Sequence, residues 1–214
     1  MTVSSYLQRR WDVVLQLTLE HLIAVGIAVG FATVVGVLLA IAVYSNDRAV
    51  TVLLVVVNTL FTVPALAYFG ALIVLVGLGW TSAITVLAIY ALLPIVRNTV
   101  TGLREVDPAI VRAATGMGMS RFGRLTRVEL PLAYPVILSG LRVATVLIVG
   151  IAAIGAYVAG PGLGELIFSG LGALGTARAI PEITIGTVAI VLVALVLDGL
   201  LALLGRFSTP RGLR

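Results

Sequence analysis

Between Ala49 and Val96 the sequence reads AVTVLLVVVNTLFTVPALAYFGALIVLVGLGWTSAITVLAIYALLPIV, without one charged side chain. As a single helix this stretch would be about 70 Å long at about 1.5 Å per residue, more than twice the thickness of bilayer hydrocarbon, so the chain must turn back inside it. The turn is Gly77-Leu78-Gly79-Trp80-Thr81-Ser82, where two glycines free the backbone and Trp80 suits a headgroup boundary. Two membrane-spanning helices follow, over about 49–76 and 82–103. Pro64, midway along the first, has no N–H to give and predicts a kink there.

Upstream, 22–44 is again uncharged and long enough to span. A cleaved signal peptide has a shorter apolar core behind a brief basic region. Here some twenty mixed residues come first, with Leu7, Trp11, Val14, Leu15 and Thr18 on one helical face and Gln8, Asp12, Gln16 and Glu20 on the other. Residues 1–21 therefore read as an amphipathic segment lying in the membrane interface, and His21 beside Glu20 as an interfacial side chain. Downstream, a fourth span is expected over 136–159 and a fifth over 183–205. A Gly-rich outer segment between them, 160–182, carries a short helix near Leu163–Leu171. Residues 206–214 form a tail. The expected fold is all-α: about five transmembrane helices within 22–205, interrupted by a polar loop at 104–131.

Composition agrees with that reading. Sixty per cent of the 214 residues are hydrophobic and 11% charged, against about 45–50% and about 25% in ordinary soluble domains. Lipid must cover the surplus. All 14 basic residues are arginine, and cysteine is absent. A phosphate loop of the GxxxxGK[ST] kind needs its lysine, so ATP cannot be hydrolysed here by that route. Disulfides and cysteine–zinc sites are excluded too. The arginines lack the aromatic interleaving of a nucleic-acid groove. They act as topology signals: with the 104–131 loop in the cytoplasm, eleven of the 14 fall on that side and only Arg9, Arg10 and Arg178 outside. The N-terminus is then expected outside and the C-terminus in the cytoplasm.

The loop begins Val106-Asp107-Pro108-Ala109-Ile110-Val111-Arg112-Ala113-Ala114-Thr115-Gly116-Met117-Gly118-Met119. Asp107 suits an N-cap and Pro108 the first helical position, while Gly116 or Gly118 can close the short helix in a left-handed cap. Small side chains on an exposed helix let a partner's groove approach, and nearby arginines would steer an acidic rim. The plain alternative is a solvated connector.

The spacing Arg112-Ala113-Ala114, three residues, Gly118, nine residues, Val128-Glu129-Leu130-Pro131 resembles the EAA loop of binding-protein-dependent ABC transporter permeases. The pattern there is EAA, three residues, Gly, nine residues, I-x-L-P. Arg112 stands where that family has glutamate. The resemblance implies that Arg112, Ala113, Ala114, Gly116, Gly118, Leu130 and Pro131 couple this chain to a cytoplasmic ATPase subunit, which binds ATP and Mg; no cofactor is expected on this chain. It further implies a second permease, identical or homologous, an extracytoplasmic solute-binding protein, and a plasma or inner membrane location. Asn58-Thr59 to Pro64-Ala65-Leu66, the run Tyr90 to Thr99, Gly102-Leu103-Arg104 and Gly162 to Phe168 resemble the osmoprotectant branch, whose cargo is glycine betaine, carnitine, choline or proline betaine.

Polar residues inside the spans are costly in lipid and demand a role. Asp198 in the fifth span and Arg142 at the start of the fourth lie at similar depth; they either pair or snorkel separately. Asn58, Thr59, Thr62 and Tyr68 around Pro64 suit a translocation path, or equally hydrogen bonds to a neighbouring helix. Few aromatics are expected to cluster in the spans, which places selectivity for a quaternary ammonium on the binding protein. The segment 160–171 faces the side where such a protein would dock. Other cargo, such as methionine, stays open. So does a different class, a secondary transporter or channel, which would have no use for the Ala-Ala-Gly loop.

Overall fold

In the computed structural model, residues 2–208 are described; Arg211 and Arg214 of the tail lie outside that range. Nine α-helices occupy the described residues: α1 (Val3–Val43), α2 (Asp47–Thr62), α3 (Ala65–Val76), α4 (Trp80–Arg104), α5 (Pro108–Gly116), α6 (Arg121–Arg124), α7 (Leu130–Gly155), α8 (Gly164–Gly172) and α9 (Ala179–Ser208). Among the described residues four helical stretches are long and apolar enough to cross a membrane, and the pair α2–α3 makes a fifth if it counts as one broken span.

Pro64 does more than kink its helix. The backbone is extended at Val63 and Pro64, and α2 and α3 meet at 89°. A missing N–H and a ring that crowds the preceding turn release carbonyls at the break, and two tyrosines collect them. Tyr68 Oη donates to Leu60 O at 2.8 Å and Tyr90 Oη donates to Val63 O. With Phe61, these rings form an edge-to-face cluster, Phe61–Tyr90 at 5.5 Å and Tyr68–Tyr90 at 6.0 Å between centroids. The expectation of few clustered aromatics is therefore corrected: residues from three helices are gathered by a broken backbone, which no local spacing reveals.

α4 is the central helix, flanked by α1 and α7, and Leu87, Ile95, Val96 and Ile148 are fully buried around it. Small residues allow α4 and α7 to cross closely. A Cβ on Gly140 would stand 2.5 Å from Asn98 Cβ and 2.7 Å from Pro94 O, and one on Gly102 3.0 Å from Ala133 O. Such close approach is how helices associate where lipid removes the hydrophobic drive. By contrast α1 and α9 present Ile23, Ile27, Phe31, Val191, Leu195 and other large apolar side chains outward, as lipid requires.

Three further expectations change. The amphipathic segment does not end where the first span begins: α1 kinks at the non-helical Arg10, and residues 11–21 run on as helix into the span. His21 is fully buried, not interfacial: Nε2 lies 3.2 Å from Val149 O, and Gly162, at φ +111°, packs so tightly on it that a Cβ would come within 2.8 Å. The polar loop 104–131 is mostly helical, with α5 and α6 inside it. The helix that becomes the fourth span is continuous from Arg121, because Phe122, Leu125 and Val128 recur at helical spacing despite the arginines between them.

Candidate functional site: the arginine-rich end and its short helix

At the end of the bundle where the arginines gather, α5 lies apart from the long helices. Asp107 Oδ1 accepts from Ala109 N at 2.7 Å and Pro108 fills the first turn, so the helix starts where its N-cap allows. It ends with Met117 N donating to Ala113 O and Gly118 in the left-handed region at φ +79°. Arg112, Ala113, Gly116 and Gly118 are exposed, as are Ile110, Met117 and Phe122, while Ala114 is buried. Met117, Met119, Phe122 and Arg127 border a groove of about 490 Å³ beside it. The outcome is a projecting helix with an apolar, positively rimmed surface.

A chain of polar contacts ties this helix to the bundle. Arg124 Nη1 donates to Thr115 Oγ1 of α5 at 3.0 Å, and its Nε donates to Glu129 Oε1 at 2.6 Å. Tyr44, just past α1, donates its hydroxyl to Glu129 Oε2 at 2.6 Å. Glu129 is only 2% exposed, so its carboxylate depends on these two donors. Burial pushes the Tyr44 phenol up from its ordinary value and the bond to Glu129 pushes it further, so the hydroxyl keeps the proton it donates. Arg104 completes the ring, with Nε on Tyr44 O and Nη2 on Asp47 Oδ1, both at 2.9 Å. Arg121 Nη2 holds Ser45 Oγ at 3.1 Å.

Glu129 sits in a π-helical turn, Leu125–Glu129, directly before Leu130 and Pro131. Proline at 131 cannot donate back into the helix, and a wider turn ahead of it accommodates the loss. Leu130 and Pro131 thus stand at the root of α7, separate from the exposed face of α5 that carries Ala113 and Gly118. The sequence points to the helix and leaves Tyr44, Arg124 and Glu129 unmarked. A glutamate inside an otherwise apolar Val-Glu-Leu-Pro run is the one available signal.

Deeper in the bundle, Arg142 and Asp198 form a two-pronged ion pair, Nε to Oδ1 and Nη2 to Oδ2 each at 2.8 Å, joining α7 to α9. Around the α2–α3 break, much of the expected polarity turns back on its own helix. Asn58 Nδ2 donates to Leu54 O, Thr59 to Val55 O and Thr62 to Thr59 O. Thr59, Thr62 and Pro64 are exposed, whereas Asn58 and Tyr68 are half-buried. Asn58 Oδ1 also accepts from Arg97 Nη2 at 3.0 Å, a partner that the sequence marks only as a topology signal. At the opposite end, the short helix expected near 163–171 is α8, whose Gly170 packs against the backbone of α9.

Apolar helices long enough to span, one of them broken at Pro64, with a short helix held outside them, define a multi-pass membrane protein. Residues 32–209 match the binding-protein-dependent transport system inner membrane component family, and the chain belongs to it. It is 39% identical to the osmoprotectant import permease protein OsmW of Salmonella typhimurium over 92% of this chain and 93% of that one. With the glycine betaine/carnitine/choline transport system permease protein OpuCB of Bacillus subtilis it shares 35% identity, covering 98% and 95%. The choline transport system permease protein OpuBB of the same organism is likewise 35% identical, covering 99% and 96%. In fold it resembles a chain of the MetNI methionine ABC transporter in an inward-facing conformation, with a TM-score of 0.81 at 20% identity over 92% of this chain and 96% of that one. The chain is a multi-pass permease subunit of an ABC importer.

Proposed function

We propose that this permease carries osmoprotectants, small zwitterionic or quaternary ammonium solutes such as glycine betaine, carnitine and choline. The observation behind the cargo is the match, along nearly the whole chain, to permeases named for these solutes. The fold likeness to a methionine transporter at 20% identity carries no information on cargo. In this reading the arginine-rich end is cytoplasmic, which follows the positive-inside rule and puts the N-terminus outside.

A cytoplasmic ATPase subunit then docks on α5, with Ala113, Gly116 and Gly118 giving close approach and Arg112 lying at the rim. ATP and its Mg stay on that partner. Movement of α5 passes through Thr115, Arg124 and Glu129 to the junction of α1 and α2, and through Leu130 and Pro131 into α7. A second permease, identical or homologous, completes the path, to which Asn58, Thr59, Thr62, Pro64 and Tyr68 contribute around the broken span. An extracytoplasmic binding protein delivers solute at the end that carries α8.

The test is reconstitution of the assembled transporter in proteoliposomes. Glycine betaine with its binding protein should raise ATP hydrolysis and accumulate, and methionine should do neither. Stimulation by methionine alone would move the cargo, and uptake without any ATPase subunit would end the importer reading.

A further inference from the structure

Arg104 and Asp47 are ion-paired, which fixes the level at which α4 and α2 meet the cytoplasmic end. At about 1.5 Å per residue, Arg97 stands about 10 Å above that level on α4, and Asn58 about 16 Å above it on α2. Arg97 donates to Asn58 Oδ1 at 3.0 Å. Its guanidinium therefore reaches toward the bilayer centre, the reverse of a snorkelling side chain, which bends to the nearest interface. Side chains on a helix lean toward its N-terminus, and α4 starts at the outer end, so the direction is built into the helix.

No carboxylate among the described residues forms an ion pair with Arg97, and its surface is exposed. An unpaired cation at that depth is costly against acyl chains, so this face turns away from lipid, toward the interior of the assembled transporter. The Asn58 amide is anchored through Nδ2 on Leu54 O, which turns Oδ1 to the arginine. One of five guanidinium N–H donors is engaged there, and the others remain for a ligand. One turn beyond Asn58 on α2 is Phe61, and two turns outward of Arg97 on α4 is Tyr90, members of the aromatic cluster at the break.

We infer that Arg97, held by Asn58, is the group in the translocation path that recognises a solute carboxylate, so that this permease favours zwitterions over plain cations. The inference rests on the importer reading. A planar guanidinium binds carboxylate in two-pronged fashion, while it repels a quaternary ammonium; of the rings outward of it Tyr90 is buried, and the half-buried Phe61 and Tyr68 are the ones placed to attract that group. Glycine betaine and carnitine carry both groups; choline has only the cation.

The experiment compares ATP-driven uptake of glycine betaine and of choline by the assembled transporter in proteoliposomes, each with saturating binding protein. Arg97→Gln should lower glycine betaine uptake at least about tenfold and choline uptake less than about twofold, with Arg97→Lys recovering part of the loss. A second readout uses the absence of native cysteine: Arg97→Cys should react with a water-soluble, membrane-impermeant thiol reagent in the assembled transporter. Equal loss of both solutes in Arg97→Gln, or an Arg97→Cys variant whose thiol is inert with and without ATP, overturns the assignment while leaving the importer intact. Wild-type transporter that accumulates neither solute with ATP overturns both readings.

Discussion

The Tyr44 hydroxyl donates to Glu129 Oε2 across 2.6 Å, joining the end of α1 to the turn before α7, 85 residues further on. Because Arg124 holds the other oxygen and also Thr115 of α5, one carboxylate connects the projecting helix to two long ones. In the proposed coupling, this link would transmit displacement only while all its bonds hold. Glu129→Gln keeps the shape and removes the charge; uptake per ATP hydrolysed should fall about 3- to 30-fold while the subunits still co-purify. Tyr44→Phe removes a single bond and should fall less, about twofold to fivefold. Unchanged stoichiometry of transport to hydrolysis in both variants would show that force passes elsewhere.

The crossing of α4 and α7 depends on a bare Cα at position 140, since the nearest atoms to a Cβ would be Asn98 Cβ and the Pro94 carbonyl. Backbone cannot step aside as a flexible side chain can. Gly140→Ala should cost about 1–3 kcal/mol and lower the melting temperature of the purified protein by several degrees. Gly150 lies in the same helix with nothing within 4 Å of an added Cβ. Gly150→Ala should be neutral or slightly stabilising. Equal melting of the two variants would contradict the close crossing.

The spans are legible because lipid imposes one rule along a whole stretch of chain, and runs such as 49–96 obey it residue by residue. α5 is legible for a local reason as well: Asp107, Pro108 and Gly118 each act within one turn. What stays hidden needs distant partners. His21 is buried because Gly162, far along the chain, leaves room for it. Glu129 and the arginines around it read as solvated because charge near an apolar run suggests water, whereas Tyr44 and Arg124 satisfy the carboxylate inside the protein. In a topology count Arg97 is one more arginine expected on the cytoplasmic side, and that count is blind to the depth its guanidinium reaches.

The pair Arg142–Asp198 closes α7 on α9 with two parallel bonds of 2.8 Å. Both side chains are more than a third exposed on this chain, so removing the carboxylate leaves a half-exposed guanidinium unpaired at the depth of the spans, and Asp198→Asn should reduce the amount of folded protein in the membrane about threefold or more. The exchanged double variant, Arg142→Asp with Asp198→Arg, should recover part of it. Quantitative membrane blots check both. If the single and double variants accumulate like wild type, the pair has no part in holding the bundle.

α5 offers the sharpest separation between folding and docking. Ala113 is exposed and Ala114 buried, so two adjacent positions, about 100° apart around the helix, face solvent and bundle respectively. Ala113→Trp adds bulk outward, toward the proposed ATPase, and leaves the contact with the bundle untouched. Ala114→Trp adds it inward and should lower the yield of folded permease. Ala113→Trp should give normal amounts of permease that fails to retain the ATPase subunit on purification. Gly118 adds a conformational control: at φ +79° with open space around it, Asn is tolerated there but Val is strained by roughly 1–2 kcal/mol. Gly118→Asn should therefore keep ATPase retention and Gly118→Val should weaken it. If Ala113→Trp retained the ATPase as wild type does, α5 would not be the docking helix, and the coupling proposed through Arg124 and Glu129 would have no input.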